Sequence, residues 1–307
     1  EPGIRNRTPE ALQEYTELLK EEILFWKFCQ YKFYEQWKFL KQYANTRGIQ
    51  IIGDIPLYMA MDSADVWADR KLFLLEEDGS QQHVAGSPPD NFSEEGQKWG
   101  NPVYDYSYME EHQFDWWRHR IEKNAALYDV IRIDHFLGVV RYYTIPFQEK
   151  DCCNGKWNKG PGKKLTDVME ESAGDCRIIA DNAGSAIAGS RKLLARIGWP
   201  GSKILMFAFD GNTGNENLPH NFEENNIVVY TGTHDNDTVV GYFRDKTEYE
   251  LAYLYEYLNI GSKEEIPDAL IRLAYSSIAD VVIIPMQDIL QLGNEARMNQ
   301  PSTVGQN

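Results

Sequence analysis

The sequence predicts an α/β fold of the (β/α)8 TIM-barrel type, incomplete in this chain, with about six of the eight strands and a long lid insertion. Short, apolar, β-branched runs recur along the chain, as buried parallel strands do, and each ends at or just before an aspartate. Helix-like stretches lie between most of them, the alternation that right-handed βαβ units impose. Acidic residues at the carboxyl ends of several strands are the pattern of a barrel's active face. A doubly wound sheet is the structural alternative. It concentrates its chemistry at one switch point, often with a Gly-rich phosphate loop, and no G-x-G-x-x-G or Walker motif follows any run here.

Thr8-Pro9-Glu10 reads as a helix start, a cap followed by proline at the first helical position. Leu12, Tyr15, Leu18 and Leu19 recur at helical spacing, and Phe25, Phe28, Phe33, Trp37 and Leu40 continue an apolar face, so one or two helices run to about Asn45. Most of the aromatic side chains are expected in the core. After Gly48, strands are predicted over 49–54, 128–134, 177–181, 203–210, 226–231 and 280–285. Helices are predicted over 114–127, 163–172, 188–197, 248–258 and 266–277.

Residues 1–307 are thus read as one partial barrel domain, with 56–111 as a lid or substrate-binding insertion. That segment exceeds the usual connection length, and loops of such size are normally lids or binding surfaces. It carries Tyr58, Trp67, Phe92, Trp99, Tyr104 and Tyr106 along with Ser87-Pro88-Pro89-Asp90, a mixture of ring faces and hydrogen-bonding groups. A second, Gly/Lys-rich excursion spans 150–162.

With 31 Lys+Arg against 47 Asp+Glu the net charge is −16, which repels nucleic acid and anionic membrane surfaces and suits a neutral partner. No apolar run approaches the roughly 20 residues that span a bilayer, and the first residues lack the features of a signal peptide, so a cytoplasmic protein is expected. Four cysteines without zinc spacing read as reduced thiols. Oligomeric state is not legible.

Three aspartates carry the chemical argument. On a strand, Arg132 and Asp134 of Arg132-Ile133-Asp134-His135 point to the same side, so the guanidinium orients the carboxylate and favours its charged form, as a nucleophile requires. A structural Arg/Asp pair is the bland alternative. Thr233-His234-Asp235-Asn236-Asp237 follows an apolar run directly and offers a row of donors and acceptors that suits sugar hydroxyls; a self-bonded turn is its alternative. Metal binding by His234 with Asp235 and Asp237 ranks lower, since no second histidine has ligand spacing. Asp181 ends a third run. Two carboxylates flanking one bond can act as nucleophile and acid/base, so the set suggests glycosyl chemistry.

The chain also resembles a known family. Ile52-Gly53-Asp54-Ile55-Pro56-Leu57-Tyr58, Asp62-Ser63-Ala64-Asp65-Val66-Trp67, Gly100-Asn101-Pro102-Val103-Tyr104-Asp105, Arg132-Ile133-Asp134-His135-Phe136, Leu218-Pro219-His220-Asn221, Tyr230-Thr231-Gly232-Thr233-His234-Asp235-Asn236-Asp237-Thr238 and Gln287-Asp288 with Asn294-Glu295-Ala296-Arg297-Met298-Asn299 look like the 4-alpha-glucanotransferases of glycoside hydrolase family 77. The likeness runs over nearly the whole chain and implies a piece of a longer protein. It further implies retaining transfer of α-1,4-glucan segments to the 4-hydroxyl of glucose or another glucan, with α-1,4-glucans and maltooligosaccharides as partners and no cofactor or metal. By the same resemblance Asp134 is the nucleophile and Asp235 the transition-state stabiliser. Arg132, His234, Asp54, Asp90, Phe92, Trp99, Asn101 and His135 fall among the substrate-binding positions.

The chain departs from the family pattern at its third acid. Where that pattern has Ala-Glu-Asp-Leu-Gly with glutamate as acid/base, this chain reads Ala180-Asp181-Asn182-Ala183-Gly184. The proton donor is drawn back by one methylene, about 1.5 Å. Leu137, Asn91 and 185–189 depart too, so reduced turnover is expected. A catalytically silent glucan-binding fragment and an α-amylase-like hydrolase are the competing readings.

Overall fold

The computed structural model describes residues 1–89, 93, 95–182, 188–301 and 303. Its strands are β1 (Ile52–Ile55), β2 (His83–Ser87), β3 (Gln97–Pro102), β4 (Val130–Ile133), β5 (Arg141–Pro146), β6 (Lys156–Lys159), β7 (Arg177–Ala180), β8 (Gly201–Ile204), β9 (Ile227–Tyr230) and β10 (Val281–Ile283). They form three sheets, ordered β1-β4-β7, β10-β9-β8 and β3-β2-β5-β6. The chain divides into two compact units, one comprising Glu1–Gly86 and Trp99–Ile178, the other Ser87–Lys98 and Ile179–Asn307.

In the first unit β1 and β4 run parallel, with Ile52 opposite Val130 and Asp54 opposite Arg132. All four residues of β4 are buried, as a continuous β-branched run requires. Gly53 admits the ring of Tyr128: a Cβ there would lie 2.1 Å from Tyr128 Cδ2, so only glycine fits the close approach. The helix Asp115–Leu127 buries Trp117 and Ile121, and Lys163–Ala173 buries Leu165, Met169 and Ala173 along one stripe.

The amino-terminal stretch forms Pro9–Leu18, capped by Thr8 Oγ1, and Lys20–Asn45. Neither helix buries a residue, and Phe25, Phe28, Phe33 and Leu40 are all about half exposed or more, which corrects the expectation that this aromatic face is core. Polar contacts along one strip anchor the long helix: Trp37 Nε1 donates to the Leu127 carbonyl at 2.8 Å, Lys41 Nζ to that of Tyr128 at 2.9 Å, and Asn45 Nδ2 to Asp129 Oδ2 at 2.9 Å. Periodicity identified the helix correctly but not what covers it.

The antiparallel sheet takes β2 and β3 from the 56–111 insertion, β6 from the 150–162 excursion and β5 from a stretch to which the sequence reading assigns no element. β2 pairs with β5 and β5 with β6, closing a small core of Val84, Tyr143, Ile145 and Cys152 backed by Trp157. Glycines, lysines and other polar residues interrupt the apolar alternation in β2, β3 and β6, so they give little period to read.

In the second unit β8, β9 and β10 are parallel, with Ser202 and Val281 on either side of Val228. The run over 203–210 is only partly strand: β8 begins at Gly201 and ends at Ile204, and Leu205–Phe207 is a 3-10 turn. Leu205, Met206 and Ala208 are nonetheless buried, so this turn has the hydrophobicity of a strand. The Ile266–Tyr275 helix buries Ile266, Ala269, Leu270 and Ala274, and Glu248–Leu258 opens with a capping box between Thr247 and Glu250. Among the described residues no helix is long and apolar enough to cross a membrane.

Candidate functional site

Parallel register brings Asp54 on β1 beside Arg132 on β4, and Asp134 follows two residues later at the strand end. Arg132 Nη1 donates to Asp54 Oδ2 at 2.5 Å and to Asp134 Oδ1 at 3.2 Å. The Arg132 side chain is 7% exposed, whereas those of Asp54 and Asp134 are 34% and 37% exposed. A guanidinium so desolvated needs counter-charges, and the two carboxylates supply them while keeping a face open to a ligand. The Asp134 N–H donates to the Ile55 carbonyl at 3.0 Å, which extends the ladder by one residue and fixes the direction of the side chain.

The chain then turns sharply. His135 has φ 50°, a left-handed conformation uncommon outside glycine and concentrated at functional sites. Gly138 lets the turn pack: a Cβ there would stand 2.3 Å from Leu57 Cδ2. The His135 ring meets Trp99 edge-on, centroids 4.7 Å apart. Behind them Tyr58 stacks on Tyr104 at 5.7 Å, and Tyr104 on Phe73 at 5.3 Å. Tyr58 and Tyr104 are therefore buried rather than displayed as loop platforms, and burial pushes both phenols well above their usual range. Asn101 serves the backbone, its Nδ2 donating to the Met59 carbonyl at 2.8 Å.

The second unit holds the other candidates. Asp181 follows β7 and is half-buried; its neighbour Asn182 accepts the Ser202 N–H at 2.7 Å through Oδ1, which joins that strand end to β8. After β9, Asn236 Oδ1 accepts from the N–H and Oγ1 of Thr233 at 2.8 and 2.9 Å, which folds the loop back on itself and presents His234 and Asp235. His234 Nε2 is 3.5 Å from Asp235 Oδ2. Asn299 Nδ2 donates to Asp235 Oδ1 at 2.6 Å, and Arg297 Nη2 donates to the Asp235 carbonyl at 2.7 Å while its Nη1 pairs with Asp237.

Arg132, Asp54 and Asp134 thus form one group, His135 and Trp99 a second, and His234 with Asp235 a third. Asp90 and Phe92 lie outside the described residues. Sequence reasoning gave no role to Asp288, Asn294, Arg297 or Asn299, although an aspartate after the last apolar run and the polar stretch behind it were visible. Chemically, the first group is an arginine-oriented carboxylate and the third a braced carboxylate beside an imidazole.

The fold has close counterparts. Amylomaltase from Streptococcus agalactiae, solved in complex with acarbose, superposes with a TM-score of 0.94 at 41% identity, covering 100% of this chain and 62% of that one. A 4-alpha-glucanotransferase of Clostridium butyricum is 48% identical over 99% of this chain and 63% of its own length, and one of Thermus thermophilus 43% identical over 97% and 61%. The profile of glycoside hydrolase family 77, described as 4-alpha-glucanotransferase, matches residues 1–307. The chain belongs to that family, and it spans about three-fifths of the length of these relatives.

Proposed function

We propose that this protein transfers α-1,4-glucan segments, with retention, to the 4-hydroxyl of glucose or another glucan. Asp134 attacks the anomeric carbon while Asp181 protonates the departing 4-oxygen, which leaves a glycosyl ester on Asp134. Asp181 then takes the proton from an acceptor 4-hydroxyl as that oxygen displaces the ester, so the two inversions give net retention. Asp235 stabilises the cationic character of the sugar between these states, and His234 contacts the sugar at the cleaved bond. Arg132, Asp54, His135, Trp99 and Asn101, with Asp90 and Phe92, bind the glucan, and 56–111 acts as its lid. In this reading β1, β4, β7, β8, β9 and β10 belong to an eight-stranded barrel.

The observation that carries the proposal is the Asp54–Arg132–Asp134 bridge, a buried cation holding a partly open carboxylate at a strand end. Family membership and the acarbose complex of the Streptococcus agalactiae relative support an oligosaccharide substrate. Maltotriose is the test: longer maltooligosaccharides plus glucose support transfer, and glucose with maltose alone indicates an α-amylase-like hydrolase. Asp134→Asn should abolish the covalent intermediate; its formation at the usual rate would remove Asp134 from the nucleophile role.

Asp181 favours a second reading, a glucan-binding protein with little turnover, because its carboxyl is one methylene shorter than the donor the family pattern calls for. Maltooligosaccharide binding by calorimetry with no product would select it.

A further inference from the structure

The loop that carries His234 and Asp235 begins and ends on one carboxyl group. Thr231 Oγ1 donates to Asp288 Oδ2 at 2.6 Å, and the Val239 N–H donates to Asp288 Oδ1 at 2.8 Å. Asp288 lies in the Met286–Ile289 turn after β10 and is 1% exposed. Thr231 and Val239, which it bonds, are sealed with it, and Thr233, Asn236 and Thr238 between them are buried as well. Removing a carboxylate from water costs several kcal/mol unless its oxygens are well satisfied, and an apolar side chain of similar size would fill the space more cheaply. What the acid adds is geometry: each oxygen holds one end of the loop, so the span between them has one length and one path.

The same stretch of chain braces the loop elsewhere. Asn294 Oδ1 accepts the Thr238 N–H at 3.2 Å and packs where a Cβ on Gly241 would collide with it. Asn299 and Arg297 hold the carboxylate and the carbonyl of Asp235. Asp288 is the member that reaches both loop ends while touching neither His234 nor Asp235.

We propose that Asp288 is a positioning residue: by bridging Thr231 and Val239 it fixes where His234 and Asp235 stand during glycosyl transfer. This rests on reading Asp235 as the transition-state stabiliser. A displacement of about 1 Å in such a group can cost about 100-fold in rate without weakening substrate binding.

The test uses Thr231→Val, Thr231→Ser and Asp288→Asn in the full-length protein. Thr231→Val and Asp288→Asn keep side-chain volume while altering the bridge; Thr231→Ser keeps the hydroxyl. The expected result is a kcat for maltotriose disproportionation lowered about 10–100-fold in Thr231→Val and Asp288→Asn. KM should stay within about twofold, the melting temperature should fall by a few degrees in Thr231→Val as the buried oxygen loses its donor, and Thr231→Ser should be close to the parent in rate and stability. Unchanged kcat, or equal losses in Thr231→Val and Thr231→Ser that follow the melting temperature, overturns the proposal. The ring signals of His234, followed by NMR in the same proteins, should move in Thr231→Val and Asp288→Asn but not in Thr231→Ser. Should even the parent protein transfer nothing, the functional reading fails, and those signals decide alone: displaced signals support the positioning role and unmoved ones overturn it.

Discussion

Arg132 donates to Asp134 at 3.2 Å from two positions back on the same chain, and the same nitrogen serves Asp54 on the neighbouring strand. One buried cation therefore pairs with two partly exposed acids, and removing it leaves like charges side by side. Arg132→Met should lower kcat/KM for maltotriose about 100-fold and cost about 1–3 kcal/mol of stability. Steady-state rates and urea unfolding check both, and an active, stable variant would reduce the bridge to a bystander.

Asp181 is a prediction in the opposite direction. In the proposed mechanism Asp181 is the proton donor, so extending it to glutamate should restore its reach, and general acid/base catalysis contributes about 10²–10⁴-fold when that reach is right. Asp181→Glu should raise the transfer rate about tenfold or more, measured as glucose release from maltotriose. No gain would place the donor elsewhere.

Asp129 ties the long amino-terminal helix to β1. Its carboxyl is pushed up by burial, but the Ile51 N–H, Asn45 and Lys41 outweigh that and hold it below the usual range. A depressed folded-state value means that its contribution is fully present above the ordinary aspartate value, about 3.9, and is lost as pH falls through the lower folded value. Asp129→Ala should cost about 1–3 kcal/mol at neutral pH. Urea unfolding of both proteins at pH 7, 4 and 3 should show the difference shrinking toward the acid end.

Gly53→Ala should destabilise by about 1–3 kcal/mol, since the new methyl would sit 2.1 Å from the Tyr128 ring. Thermal unfolding measures it, and adding Tyr128→Ala should recover part of the loss. A Gly53→Ala protein as stable as its parent would show that the ring moves freely.

Much of the site was legible from local pattern. Arg132 and Asp134 share a strand face because side chains alternate, and the strand ends at an aspartate in the sequence as in the fold. The missing parts were those joined by long separations. Asp54 lies 78 residues from Arg132, and Asn299 lies 64 residues from Asp235, so neither bond leaves a trace in a local window. The run after Lys203 misled for another reason: burial in a turn and burial in a strand select the same apolar side chains.

The sequence alone determined the alternation of helices and strands, the family, and the identities of the acids at strand ends. These follow from periodicity and from residue types placed a few positions apart, where backbone geometry leaves little choice. Only the tertiary structure decided which side chains answer those acids, with Arg132 shared by Asp54 and Asp134 and Asn299 reaching Asp235, and which apolar faces are covered: Tyr58 and Tyr104 are sealed in a ring stack, whereas the aromatic face of the helix Lys20–Asn45 is left in solvent. Hydrophobicity says that a side chain favours burial, whereas its partner is set by the path of a distant segment, and that path belongs to the packed whole.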